Sequence, residues 1–199
     1  MFKGEPRFCL VNVTAEDEKT LLRSVSDMLT NVEKLMREVR VLLCVFVSGL
    51  LLSGITAFPI HTELVYAHSL ITLLDIDNPL VHWLEVVYHA VDDVGQRYPF
   101  IAYGTDWLAY AHVILAILFL GIIKDPIRNI WVVEFGLIAC IGIFPLAFIA
   151  GEIRGVPFFW QLIDCSFGLF GGAILWMCYV RIRKLTWIGR VKTLESTVH

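Results

Sequence analysis

Charge is scarce in this chain: Asp, Glu, Lys and Arg make up 18% of its 199 residues, against about 25% in soluble domains. Also missing are a phosphate-binding loop, a G-x-G-x-x-G turn, a G-x-S-x-G elbow and an H-E-x-x-H pair. Their absence disfavours nucleotide-driven transport and the common hydrolase plans. Five cysteines are present (Cys9, Cys44, Cys140, Cys165, Cys178) and none forms a C-x-x-C pair, so they read as structural thiols rather than a redox or metal centre. No apolar run occurs in the first 40 residues. A cleavable signal is therefore not expected, and the first long apolar segment should remain as an anchor.

What is abundant is apolar. Hydrophobic residues account for 57% of the chain and the mean hydropathy is +0.71, a surplus that belongs in lipid. Four stretches, 41–59, 105–123, 130–150 and 157–180, reach or approach the ~20 residues a helix needs to cross a bilayer. Of sixteen Lys and Arg residues, seven precede the first stretch, two (Lys124, Arg128) separate the second from the third, and five follow the fourth. Arg97 and Arg154 are the exceptions. The positive-inside rule then predicts a multi-pass protein of the plasma (inner) membrane with both termini cytoplasmic. Lipids are its surroundings, and nothing in the charge pattern points to nucleic acid.

The expected fold is all-α: an integral membrane four-helix bundle, with an amphipathic N-terminal helix and extracytoplasmic amphipathic helices between spans 1 and 2. Residues 1–40 form the cytoplasmic segment, 41–180 the membrane domain with an outer loop at 60–104, and 181–199 a basic cytoplasmic tail. Thr14, followed by Glu16 and Asp17, reads as a helix N-cap. Leu21, Val25, Met28, Val32, Leu35 and Val39 then form a heptad seam that suits self-association or packing on the bundle. In the outer loop, helices over 62–74 and 79–96 are predicted on either side of the turn Asp75-Ile76-Asp77-Asn78-Pro79. His82, Glu85 and His89 on the second of these have the residue types and spacing of a divalent-metal site, although a solvated helical face looks the same.

Small residues mark where helices in lipid approach one another. The candidate contact stripes are Gly49/Ser53/Ala57, Ala109/Ala116 around His112, Gly136/Cys140/Ala147/Gly151, and Asp164/Gly168/Gly172. His112 lies six residues beyond Asp106, and Asp164 seven beyond Pro157. Both therefore sit about 10 Å below the outer ends of their helices. Ionisable groups at such depth are functional candidates by default, the alternative being a pair that locks the bundle. With Gln161, Ser53 and Thr56 nearby and His61, Glu63, Tyr103, Asp106, Glu152 and Arg154 at the rim, they outline an outward-opening polar pocket. In it His112 would act as proton acceptor or ligand, Asp164 as its orienting carboxylate, and Arg154 and Asp106 as rim groups for chemistry. His112, Gln161 and Tyr103 are the candidate cofactor contacts.

The cofactor is left open. A metal or a haem on one axial histidine is compatible with the sequence, whereas a bis-histidine haem is not, because His112 is the sole histidine inside a predicted span. Glu134 is expected to pair with Arg128 or Lys124 rather than relay protons. The tryptophans near span ends, Trp107 among them, suit interfacial anchoring. Three functions remain: a membrane enzyme or cofactor-binding protein, a small oligomeric proton or cation transporter or channel, and an accessory subunit of a membrane complex. A homo-oligomer or a subunit of a membrane complex is expected.

Overall fold

The computed structural model describes residues 15–74 and 77–197. Thr14, Cys9 and the Asp75-Ile76 part of the predicted turn lie outside the described residues, as do the surroundings of the Leu21 side chain. Among the described residues the protein is helical throughout, with six helices: α1 (Ala15–Ala57), α2 (Ile60–Leu74), α3 (Pro79–Arg97), α4 (Pro99–Lys124), α5 (Ile130–Ile153) and α6 (Phe158–Thr197). Four of them, α1, α4, α5 and α6, are long and apolar enough to cross a membrane.

The sequence sets the breaks between helices. Asn78 caps α3 by accepting a hydrogen bond from the Val81 amide at 2.9 Å, and Pro79 occupies the first helical position, where no donor is lost. A single residue, Tyr98, separates α3 from α4, which again opens on a proline. The α4–α5 turn is closed by Asn129, whose side-chain amide donates to the carbonyls of Gly121 and Asp125. Glu134 is exposed and makes no ion pair with Arg128 or Lys124. The Arg128 backbone instead donates to the Asp125 carboxylate.

At the end of α5, Gly155 adopts a left-handed φ of 66°. Its amide bonds back to the Glu152 carbonyl and that of Val156 to the Gly151 carbonyl, the paired pattern that ends a helix on a glycine. This compact turn fixes where α6 begins.

The four long helices form two antiparallel pairs, α1 with α4 and α5 with α6. Close approach in the first pair occurs at Gly54, where an added Cβ would lie 3.0 Å from the Ala109 carbonyl oxygen and 3.1 Å from the His112 Cβ. In the second pair it occurs at Gly168, which faces the Cys140 carbonyl. The pairs join chiefly through α1 and α6, while α4 and α5 touch only sparsely. A fully buried cluster of Val39, Leu43, Ile122, Val133, Leu175 and Ile182 fills the end of the bundle away from α2 and α3. Beyond it α1 and α6 continue together, tied by Arg181 Nε donating to Glu38 Oε2 at 2.7 Å.

The predicted basic tail is thus largely a continuation of α6. Of the heptad seam, Val39 is buried in the core cluster, Val32 and Leu35 are half-buried, and Val25 and Met28 are exposed. At the opposite end α2 and α3 form a hairpin that packs on α4 through α3. It is pinned by His61 Nε2 donating to Asp92 at 3.0 Å and by His68 stacked on Tyr88. His61 and then Gln96 donate to Asp92, and these hydrogen bonds hold its carboxyl below the ordinary carboxylate range. Trp83 of α3 also meets Trp160 at the start of α6.

Candidate functional site

A cavity of about 640 Å³ lies where the two pairs face each other, on the α2–α3 side of the buried cluster. All four long helices line it, and its walls are mainly apolar and aromatic. Phe46 and Phe119, with ring centroids 4.8 Å apart, close its floor beside Gly136. The polar side chains reaching it are His112, Asp164 and Ser53. Its volume falls within the ~300–1,000 Å³ typical of small-molecule sites, and an apolar wall with few polar groups is their usual chemistry.

His112 is oriented by its own helix. Its Nδ1 lies 2.8 Å from the Leu108 carbonyl oxygen. A carbonyl only accepts, so Nδ1 carries the hydrogen, and in the neutral ring the Nε2 lone pair is left for another partner. The absence of a side chain at Gly54 lets α1 press on the His112 Cβ, which sets the ring's depth.

Asp164 is placed from the α5–α6 turn. Gln161, one helical turn earlier, is 3% exposed, and its Nε2 donates to the Val156 carbonyl at 2.8 Å. Gly151 leaves room for that side chain, since a Cβ there would come within 2.8 Å of it. Asp164 itself forms no hydrogen bond or ion pair with any described residue, nor does His112 Nε2. The cavity therefore presents one nitrogen acceptor and one carboxyl group that the fold leaves without partners. Each can accept a hydrogen bond from, or exchange a proton with, the head group of a molecule held in the cavity.

The other sequence candidates fall elsewhere. Gln161 acts inside the α5–α6 turn and does not reach the cavity. Arg154 is the exposed cap residue of α5, too far along the turn to line it. Thr56 turns back to the Leu52 carbonyl. Tyr103 and Asp106 line a separate, shallower pocket of about 430 Å³ with Phe58, Trp107 and Tyr110.

The metal candidates do not converge. His82 is engaged by Asp77 at 3.0 Å and Glu85 at 3.7 Å, while His89 lies against Tyr88 and His68. Seven residues of helix separate His82 from His89 by about 10 Å, too far for one ion. Among the described residues no group of three His, Cys, Asp or Glu side chains is placed to hold a metal.

The small-residue stripes are also partly reassigned. Ala109, Ala116, Gly136, Gly151 and Gly168 do sit at helix contacts. Gly49 has nothing within 4 Å of a built Cβ and, like Ser53, lines the cavity instead. The contact glycine of α1 is Gly54, one residue off the stripe.

Comparison with known protein families, curated proteins and solved structures finds no match. The site must be read from its own chemistry.

Proposed function

We propose that this protein spans the membrane four times, with both termini on the cytoplasmic side. Between the spans it binds a small hydrophobic molecule by a hydrogen-bond-donating head group. The observation that carries the binding reading is that His112 and Asp164 line one apolar cavity, with Asp164 and the His112 Nε2 lacking a partner among the described residues. An unpartnered carboxyl at that depth in an apolar bundle is costly to keep without a ligand or water to satisfy it.

The membrane reading rests on the four long helices, of which at most 22% of each apolar window is buried within the protein. Residues such as Ile138, Ile141 and Leu146 point outward, a surface far more apolar than a water-soluble protein carries. The orientation rests on the Lys and Arg asymmetry. Lys124, Arg128 and Arg181 all lie at the end of the bundle away from the α2–α3 hairpin.

His112 is the group for a hydroxyl, an amide or a metal-bearing ring to meet, and Asp164 suits a second hydroxyl or an amine. Conduction through one protomer is disfavoured by the buried cluster beneath the cavity, which leaves no polar path to the other end.

The first test is the absorption spectrum and metal content of gently purified protein, followed by organic extraction. A colourless, metal-free preparation that releases a stoichiometric lipophile is the expected result. A Soret band or bound metal assigns the cavity to haem or metal on His112, while a preparation with no extractable molecule and no added-ligand binding overturns the reading.

A further inference from the structure

The shallower pocket has a chemistry of its own. Tyr103, Trp107 and Tyr110 follow one another at helical spacing on α4, so their rings share a face. The Trp107 ring stands at 83° to Tyr103 and 89° to Tyr110, with centroids 6.0 and 6.2 Å away. All three rings are more than half exposed, so they are not consumed by core packing. Phe58, in the turn between α1 and α2, completes the wall, and Asp106 places a carboxyl group among the rings.

No described residue pairs with Asp106. Arg97, the nearest cation in sequence, is held by Asp93 at 2.8 Å. Interfacial anchoring accounts for aromatic rings at a helix end, but not for a carboxyl group set among them without a cation.

We infer that the Tyr103/Asp106/Trp107/Tyr110 pocket is an aromatic cage for a quaternary ammonium group. Ring faces are electron-rich and attract a cation at contact distance, and the attraction is greatest where the cation carries little hydration. A compact primary ammonium keeps its water shell. A trimethylammonium head has a diffuse charge and an apolar surface, and so fits rings with one carboxylate. The choline head of a phospholipid and a free methylated amine share this chemistry. In the four-span reading the cage lies at the end of α4, at head-group level; the cation selectivity itself does not depend on that reading or on the His112 site.

The test titrates tetramethylammonium, with ammonium as control, into the protein in a maltoside detergent free of choline, following the methyl protons by NMR. Tetramethylammonium should bind with its methyl signal shifted upfield by the rings, and ammonium should compete at least tenfold more weakly. Trp107→Leu and the isosteric Asp106→Asn should each weaken binding about two- to fivefold, while His112→Leu leaves it unchanged. Equal competition by ammonium, or identical binding to the wild type and both cage variants, overturns the proposal, as does loss of binding in His112→Leu. Dihexanoylphosphocholine and choline then separate the sources. Tighter competition by the former assigns a lipid head group, equal competition a free cation, and competition by neither again overturns the cage.

Discussion

Gly168 and Gly172 lie one turn apart on the face of α6 that meets α5, yet alanine should have opposite effects at the two. A Cβ on Gly168 would sit 2.8 Å from the Cys140 carbonyl oxygen, 0.6 Å inside the 3.4 Å at which ordinary contact begins, and backbone must move to relieve it. At Gly172 the nearest atom is the Cys140 Cβ at 3.5 Å, an ordinary contact. Overpacking of this kind costs about 1–3 kcal/mol, while replacing glycine within a helix gains about 1 kcal/mol. Gly168→Ala should therefore be destabilised by up to about 2 kcal/mol and Gly172→Ala stabilised by up to about 1 kcal/mol. A gap of about 2 kcal/mol corresponds to roughly 4–8 °C in Tm for a chain of this size. Thermal unfolding in detergent by circular dichroism measures it. Separation of α5 from α6 should also speed N-ethylmaleimide labelling of the buried Cys140 in Gly168→Ala alone, read by peptide mass. Equal melting of the two variants, or a more stable Gly168→Ala, would refute the packing argument.

Three further outcomes follow from named contacts. Gln161→Leu removes the amide that satisfies the Val156 carbonyl and should cost about 1–3 kcal/mol, measured by thermal unfolding. The hydrogen bond from His61 to Asp92 makes the α2–α3 hairpin pH-dependent. Because the folded Asp92 pKa lies below its ordinary 3.8, this stabilisation is present above that value and disappears as pH falls below it. The protection of the α2 amides, taken relative to their intrinsic exchange rates at each pH, should then fall in acid, and Asp92→Asn should flatten that response. Finally, Glu38→Arg or Arg181→Glu alone should raise exchange in the part of α1 beyond the buried cluster, and the double exchange of charges should restore protection.

The four long helices were readable from their apolar runs at 41–59, 105–123, 130–150 and 157–180, but not their full extent: α4 begins earlier, at Pro99, and α1 and α6 run far beyond the apolar stretches. The depth of His112 and Asp164 followed from 1.5 Å of rise per residue, and both do line one cavity. The composition of the rest of the site was not legible. Gln161, Arg154, Tyr103 and Asp106 share the right height, but height fixes neither azimuth nor which carbonyl a side chain finds first. Gln161 lies on the Asp164 face by spacing, yet the glycine-ended turn brings the Val156 carbonyl within its reach. Gly49 and Gly54 look equivalent in sequence, and the crossing of α1 over α4 decides that Gly54 is the contact and Gly49 the cavity wall. That crossing arises from the packing of two helices far apart in the chain, which a periodicity cannot encode.

The claim that the cavity holds a molecule through His112 and Asp164 is tested most directly by native mass spectrometry of the protein purified in a mild detergent. Wild type, His112→Leu and Asp164→Asn should be compared side by side. The account predicts a wild-type mass exceeding that of the polypeptide by one small molecule, with that excess reduced or lost in both variants while helicity is retained. A wild-type mass equal to the polypeptide alone in the presence of native lipid extract, or an excess unchanged in both variants, would contradict it.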